Sequence, residues 1–208
     1  MRFIVMAKLL IVDDHEIVRS GLRRLLDNNE LITYISECAS GEEAYQFLFN
    51  NEVDIIIMDI SMPGKGGLEA TQQIRKRYQK IKIIILSMHD NPMIINKAIA
   101  AGANAYILKN EISDNLVDAI HNVLSGLEII TPSLEYEIKD NALNLLNTKE
   151  FEIFISIANG EDLKAIAEKL NISYKTAANY QTSIKQKLEI KNILDFYNMA
   201  KENNLLKK

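Results

Sequence analysis

Five side chains could do chemistry together if the fold delivered them to one place: Asp13, Asp14, Asp59, Ser87 and Lys109. Three carboxylates crowded at one point repel each other, and a hard divalent cation is one relief. Magnesium suits such a set because it takes oxygen ligands, keeps several waters and partners phosphate oxygens. Lys109 would add a point cation and Ser87 a hydroxyl donor. A remaining carboxylate could then attack a phosphoryl group while Mg²⁺ and Lys109 neutralise the transferring oxygens. Singly, each residue is ordinary: an acidic pair after a strand is often a cap, and a lysine there is usually solvated.

The apolar runs show what must position them. Val53 to Met58 reads as a strand covered on both faces; it stops at Asp59, and Pro63-Gly64 then forces a turn. Lys8 to Val12 is a first buried strand, ending in Asp13-Asp14-His15-Glu16. Leu31 to Glu37 is a second, Lys82 to Leu86 a fourth ending at Ser87, and Asn104 to Leu108 a fifth followed at once by Lys109. Helical patterns separate them. Ile17, Val18, Gly21, Leu22, Leu25 and Leu26 share the apolar face of the first. Ser40-Gly41-Glu42-Glu43 opens the second with a capping-box pattern. A third runs from about Leu68 to Tyr78, a fourth from Pro92 through Ala101 to Gly102, and Ser113 caps a fifth that stops at Gly126. The alternation predicts an α/β doubly wound five-stranded parallel sheet. In that architecture the carboxyl ends of the strands share one edge, so all five chemical side chains converge there.

The chain has 208 residues and a net charge of −4, with 48% apolar and 25% charged side chains. That length suits one average domain and a small one. No run approaches the length of a membrane span, and Phe3 to Met6 is too short for a signal-peptide core. Met1 to Met6 read as a dispensable leader, with Met6 as a candidate start. Cys38 is the only cysteine, which excludes an intramolecular disulfide and a cysteine-built zinc site. A cytoplasmic protein is expected. From Asn147 onward ten Lys, no Arg and eight acids give +2, leaving −6 on the first 146 residues. An acidic first part and a mildly basic second part suit a nucleic-acid-binding tail.

The first unit is expected to span 7–126, a linker 127–146 with a short helix around Leu134 to Asn144, and a second unit 147–208. The second unit reads as all-α. Asn147-Thr148-Lys149-Glu150 opens a helix with Phe151, Ile153, Phe154, Ile157 and Ala158 apolar, ending at Asn159-Gly160. Leu163, Ile166, Ala167 and Leu170 stripe a short second helix. After Asn171-Ile172, Ser173 caps a third, which completes a helix-turn-helix pattern. At 100° per residue Ala177, Ile184 and Leu188 face inward. Lys175, Ala178, Asn179, Thr182 and Gln186 lie opposite, with Lys185 beside them. That polar, short-chained face suits a helix lying in a DNA groove.

At Val12-Asp13-Asp14-His15, Met58 to Gly64, Leu86-Ser87 and Tyr106-Ile107-Leu108-Lys109 the chain resembles a response-regulator receiver domain over residues 7 to 126. The resemblance implies Asp59 as phospho-acceptor, with Asp13, Asp14, Asp59 and the Ser61 carbonyl holding Mg²⁺. It implies Ser87 and Lys109 on the phosphoryl oxygens. Ser87 turning to the acyl phosphate, with Tyr106 rotating inward, would be the switch. From Leu146 onward the motifs Leu146 to Ile153, Ala158-Asn159-Gly160, Ile166 to Leu170, Ile172 to Thr176 and Lys187-Leu188 resemble the LuxR-type domain of the NarL/FixJ response regulators. Gly64 to Thr71 is similar to the GacA-like members. The resemblance implies a sensor histidine kinase as phosphodonor and dimerisation on phosphorylation. It also implies binding of promoter DNA, and no enzymatic activity beyond phosphorylation and dephosphorylation of Asp59.

Departures cluster where DNA would be read: Ala177, Ala178 and Tyr180 stand where the family usually has Val, Lys or Arg, and His. Base reading then falls to Asn179, Thr182 and Gln186, with Lys175, Lys185, Lys187 and Lys191 on phosphates. Asn and Gln favour adenine, so A·T-rich sites are expected. Two other readings stay open: an adaptor whose helix-turn-helix serves protein contacts, and an aspartate-nucleophile phosphohydrolase. Ser61 departs from the haloacid-dehalogenase pattern, which has a second Asp two residues after the nucleophile.

Overall fold

In the computed structural model the described residues are 6–27, 29–64, 66–90, 92–127, 129–130, 142–203 and 205–206. The chain divides into two compact units, residues 1–136 and 137–208. The leader, Met6 aside, and most of the helix expected around Leu134 to Asn144 lie outside the described residues. Of that helix's span, Ala142–Leu145 forms a 3₁₀ turn.

The first unit alternates β1 (Ala7–Val12), α1 (Glu16–Leu26), β2 (Ile32–Cys38), α2 (Gly41–Phe47) and β3 (Ile55–Asp59). It continues with α3 (Gly66–Arg77), β4 (Lys82–Ser87), α4 (Pro92–Ala100), β5 (Ala105–Leu108) and α5 (Ile112–Leu124). The strands are parallel in the order β2-β1-β3-β4-β5, and a two-residue strand β6 (Ile129–Ile130) extends the sheet beside β5. That sixth strand falls in the stretch the sequence presented as linker; two residues are too few to show a period.

Successive strand residues point to opposite faces, and here both faces are buried. Leu9, Ile11, Ile55, Ile57, Ile84 and Leu86 pack with Leu22, Leu26, Leu116, Ile120 and Val123 in one core. The alternate residues Leu10, Val12, Ile56, Met58, Ile83 and Ile85 are equally buried. At roughly 25 cal/mol per Å² of apolar surface, such continuous runs are what hold a doubly wound sheet together.

Local details differ from the pattern in three helices. In α1 the buried stripe is Val18, Leu22 and Leu26, while Ile17 is 87% exposed and Leu25 is also exposed. The 17-21-25 row lies one residue's rotation away from the core row, so an apolar residue there faces water. Ser113 does not cap α5: Lys109–Glu111 forms a 3₁₀ turn, Glu111 takes the N-cap position, and Ser113 lies inside the helix. The Ser40 cap is present, accepting from the Glu43 amide, but the Glu43 carboxylate reaches back to the Ala39 amide.

The second unit holds α6 (Thr148–Ala158), α7 (Leu163–Lys169), α8 (Tyr174–Leu188) and α9 (Ile193–Glu202). Asn147 and Glu150 form a reciprocal capping box, Asp162 caps α7, and Ser173 caps α8. Asn171, at φ 50, makes the left-handed turn between α7 and α8. The ring of Phe154 packs on Phe151 and on Phe196 of α9, with centroids 6.3 and 5.6 Å apart. The helix α9 was not expected, although Asn192-Ile193-Leu194-Asp195 carries a second capping box. Among the described residues, no helix is long and apolar enough to cross a membrane.

Candidate functional site

The strand registers bring the chemical residues level. Val12 pairs with Met58, so Asp13 and Asp59 emerge side by side from β1 and β3. Asp59 pairs with Leu86, which places Ser87 one step beyond, and Ser87 pairs with Leu108, directly before Lys109. The order β2-β1-β3 makes this the point where the winding reverses, the usual ligand crevice of an open α/β sheet.

Asp13 and Asp59 are almost wholly buried, and Asp14 is partly buried. Lys109 Nζ lies 2.8 Å from Asp13 Oδ2 and 3.0 Å from Asp59 Oδ2. Burial pushes the Asp59 carboxyl above its usual range; the Lys109 charge lowers it again, and Asp13 adds to the rise. For Lys109, burial works to lower the pKa, but the hydrogen bond it donates to Asp13 and the Asp59 charge prevail and hold it above its usual value. Two buried carboxylate oxygens, Oδ1 of Asp14 and Oδ2 of Asp59, meet only a cationic or imidazole nitrogen each, His15 Nδ1 and Lys109 Nζ, at 3.0 Å. Ligand atoms of Asp13, Asp14, His15 and Asp59 all lie within 4.8 Å of one another. Lone pairs left free in a buried acidic cluster are what a hard cation would satisfy.

The loop after Asp59 is shaped by glycine. A Cβ at Gly67 would sit 1.9 Å from the Asp59 carbonyl oxygen, so only glycine lets α3 start against the end of β3. Gly64, at φ +77, completes the turn. The Ser61 amide donates to Asp59 Oδ1 at 3.3 Å.

Ser87 is buried and its Oγ accepts from the His89 amide at 3.0 Å. Tyr106 is already turned inward, 1% exposed, and donates to the His89 carbonyl at 2.7 Å, so the inward rotation expected of the switch is in place here without a phosphoryl group. Burial raises the Tyr106 phenol well above its usual range, partly offset by its hydrogen bond with Ser87. Ser87, the β4–α4 loop and Tyr106 are thus one connected set.

Two further residues belong to the pocket. His15 Nδ1 stands 3.1 Å from Asp13 Oδ1 and 3.0 Å from Asp14 Oδ1, and its amide donates to Asp13 Oδ1. Arg19 reaches the Asp13 main-chain carbonyl from α1. His15 could have been found from its place directly after the acidic pair; Arg19 carries no such signal.

On α8, Ala177, Ile184 and Leu188 are buried as the rotation required. Lys175, Asn179, Thr182 and Gln186 are exposed, and Ala178 and Lys185 are half-buried beside them. The Thr182 hydroxyl donates to the Ala178 carbonyl at 3.0 Å. Lys187 is not free for phosphates: its ammonium lies 2.6 Å from the buried Glu150, which also accepts from Ser183. Burial works to raise the Glu150 pKa, but Lys187, Ser183 and the Asn147 amide prevail and hold it low. A carboxylate buried in the first helix thereby anchors the third. No local pattern announces a pair 37 residues apart.

Residues 9–121 match the family described as response regulator receiver domain, and residues 144–200 match the bacterial regulatory proteins of the luxR family. The chain belongs to the NarL/FixJ response regulators. It is 37% identical over 180 residues to the response regulator UvrY of Escherichia coli K12, covering 82% of this chain and 83% of that protein. The response regulator GacA of Pseudomonas aeruginosa is 30% identical over 180 residues, covering 82% and 84%. Among solved structures, RcsB of Salmonella enterica serovar Typhimurium, bound to promoter rprA in the presence of the phosphomimetic BeF3⁻, superposes with a TM-score of 0.66. It shares 27% identity and covers 94% of this chain and 98% of its own. The protein is a response regulator with a LuxR-type DNA-binding domain that regulates transcription.

Proposed function

We propose that a sensor histidine kinase phosphorylates this regulator on Asp59 and that the phosphorylation controls binding of α8 to promoter DNA. The observation that carries the reading is the buried Asp59 carboxylate at the end of β3, whose Oδ2 pairs with Lys109 Nζ at 3.0 Å beside the Asp13 carboxylate. An Asp59 carboxylate oxygen forms the bond to phosphorus as the P–N bond of the phosphohistidine breaks. The electron pair leaves with the imidazole nitrogen, which then takes a proton. Lys109 is placed to balance the charge on the transferring oxygens, and Ser87 to donate to one of them. The clustered carboxylates, with lone pairs beyond these contacts, fit Mg²⁺, which would be held by Asp13, Asp14, Asp59 and the Ser61 carbonyl. When bound, Mg²⁺ would supply the further cationic charge that three carboxylates facing the single ammonium of Lys109 still lack. A Ser87 hydroxyl engaged by the acyl phosphate leaves Tyr106, which changes the surface around β5 and favours dimerisation.

In this reading residues 7–126 are the receiver, 127–146 the linker and 147–208 the DNA-binding domain of a cytoplasmic protein. On DNA, Lys175, Lys185 and Lys191 meet phosphates, and Asn179, Thr182 and Gln186, around Ala178, read bases. The Thr182 hydroxyl proton is already given to Ala178, so Thr182 offers its methyl and its lone pairs. A methyl suits the thymine methyl, and Asn and Gln suit adenine, which together favour A·T-rich sites.

A genome-fragment binding selection at fixed salt tests this, comparing protein carrying a beryllofluoride mimic at Asp59 with untreated protein. A·T-rich fragments that appear or strengthen with the mimic are expected. Equal binding in both states would uncouple Asp59 from DNA. No enrichment in either state would favour the adaptor, which the absence of arginine from residue 147 onward also suits.

A further inference from the structure

Arg19 lies outside the five chemical residues, yet its side chain enters their neighbourhood. It stands in the first turn of α1, and its side chain is only 15% exposed. Its NH1 donates to the Asp13 main-chain carbonyl at 2.7 Å. Its Nε lies 3.4 Å from Glu37 Oε2, at the end of β2. Glu37 is itself held by Arg23, whose guanidinium also donates to the Ile35 carbonyl.

The Asp13 carbonyl belongs to the peptide that joins Asp13 to Asp14. A donor fixed on that oxygen sets the plane of the peptide, and with it the directions in which both carboxylates leave the chain. The other handles on Asp13 are the side-chain bonds from Lys109 and His15 and its own amide, which donates to the Cys38 carbonyl at 3.3 Å. Among the described residues Arg19 is the donor on the carbonyl, and its planar fork can hold it while anchored on Glu37.

We infer that Arg19, braced by Glu37, is a positioning residue that aims the Asp13–Asp14 carboxylate pair at a divalent cation. The inference rests on the metal reading of the acidic pocket given above. It has a distinctive sign. If Arg19 acted only through its charge, removing a cation near three carboxylates would tighten divalent-metal binding. If it positions the ligands, removing it loosens binding, as loss of groups behind metal ligands commonly does by 10–100-fold.

The test is a titration of the full-length protein with Mn²⁺ alone, reading free Mn²⁺ by electron paramagnetic resonance, with circular dichroism to verify folding. Arg19→Ala should weaken Mn²⁺ binding about tenfold. Arg19→Lys keeps the charge but not the fork, so a loss of several-fold there reports geometry alone even if Arg19→Ala fails to fold. Arg24→Ala, at an exposed position on the same helix, should not weaken binding. Unchanged or tighter Mn²⁺ binding in folded Arg19 variants would overturn the assignment. A wild-type protein that binds no Mn²⁺ would overturn the metal reading first, and this assignment with it.

Discussion

Lys109 reaches Asp13 across 96 positions of sequence, whereas the candidate DNA contacts of the second unit lie almost entirely on the single helix α8. The first site is buried and built from groups whose charges are taken out of water; the second is exposed and built from groups left in it. Chemistry on a phosphoryl group benefits from desolvated charges whose mutual forces are strong. Groove reading needs donors and acceptors still free, on a support that does not move. The ion pair of the buried Glu150 with Lys187 therefore sits behind the reading face rather than on it. Burial has opposite uses in the two units: it activates side chains in one and fixes a helix in the other.

The largest test of that contrast is Asp59→Asn. Labelling by a phosphodonor should vanish, a loss of at least ~100-fold, while binding of unphosphorylated protein to DNA stays as it was. Because burial raises the Asp59 pKa, ionising this carboxyl costs more in the folded state than in the unfolded chain. Stability tied to this group is present below the unfolded pKa near 3.8 and lost as pH rises through the raised folded value. The uncharged Asn should therefore melt a few degrees higher at pH 7, of the order expected for ~1 kcal/mol, which a thermal scan would show. A lower melting point would mean that the pocket does not penalise the charge.

Glu150→Ala should come next, destabilising the second unit by ~2–3 kcal/mol, because Lys187 and Ser183 lose their buried acceptor. The sign with pH is opposite to that of Asp59. Glu150 has a lowered pKa, so its contribution is present above the unfolded value near 4.5 and lost as pH falls through the folded one. Denaturant titrations at pH 7 and pH 4 should show Glu150→Gln flattening that acid loss. An unchanged pH profile would remove Glu150 from the account of how α8 is held.

Smaller effects belong to the exposed face. Asn179→Ala should cost ~1–3 kcal/mol of discrimination at one base position, read from selections on randomised sites. Lys175→Ala should weaken all sequences alike and reduce the salt slope by about one. Smallest is Thr182→Val, which keeps a methyl and discards only a hydroxyl already turned to the helix. Its site preference should match wild type, whereas DNA with uracil in place of thymine should bind both proteins more weakly. If Thr182→Val changes the preferred base, the hydroxyl takes part in reading after all.

The sequence by itself determined the sheet, the order of its elements and the list of groups at its carboxyl edge. Runs such as Ile55 to Met58 allow only a strand covered on both faces, and parallel strands alternating with helices leave few ways to wind. It also determined the buried row of α8, since a 100° rotation sorts Ala177, Ile184 and Leu188 from Lys175, Asn179 and Thr182. Tertiary structure alone decided what depends on long-range partners. It turned Ile17 to water, committed Lys187 to Glu150, and placed Arg19 on the Asp13 carbonyl. It also closed a two-residue strand onto β5. Periodicity records which face of an element is apolar, but a polar side chain finds its partner through packing that no local pattern encodes.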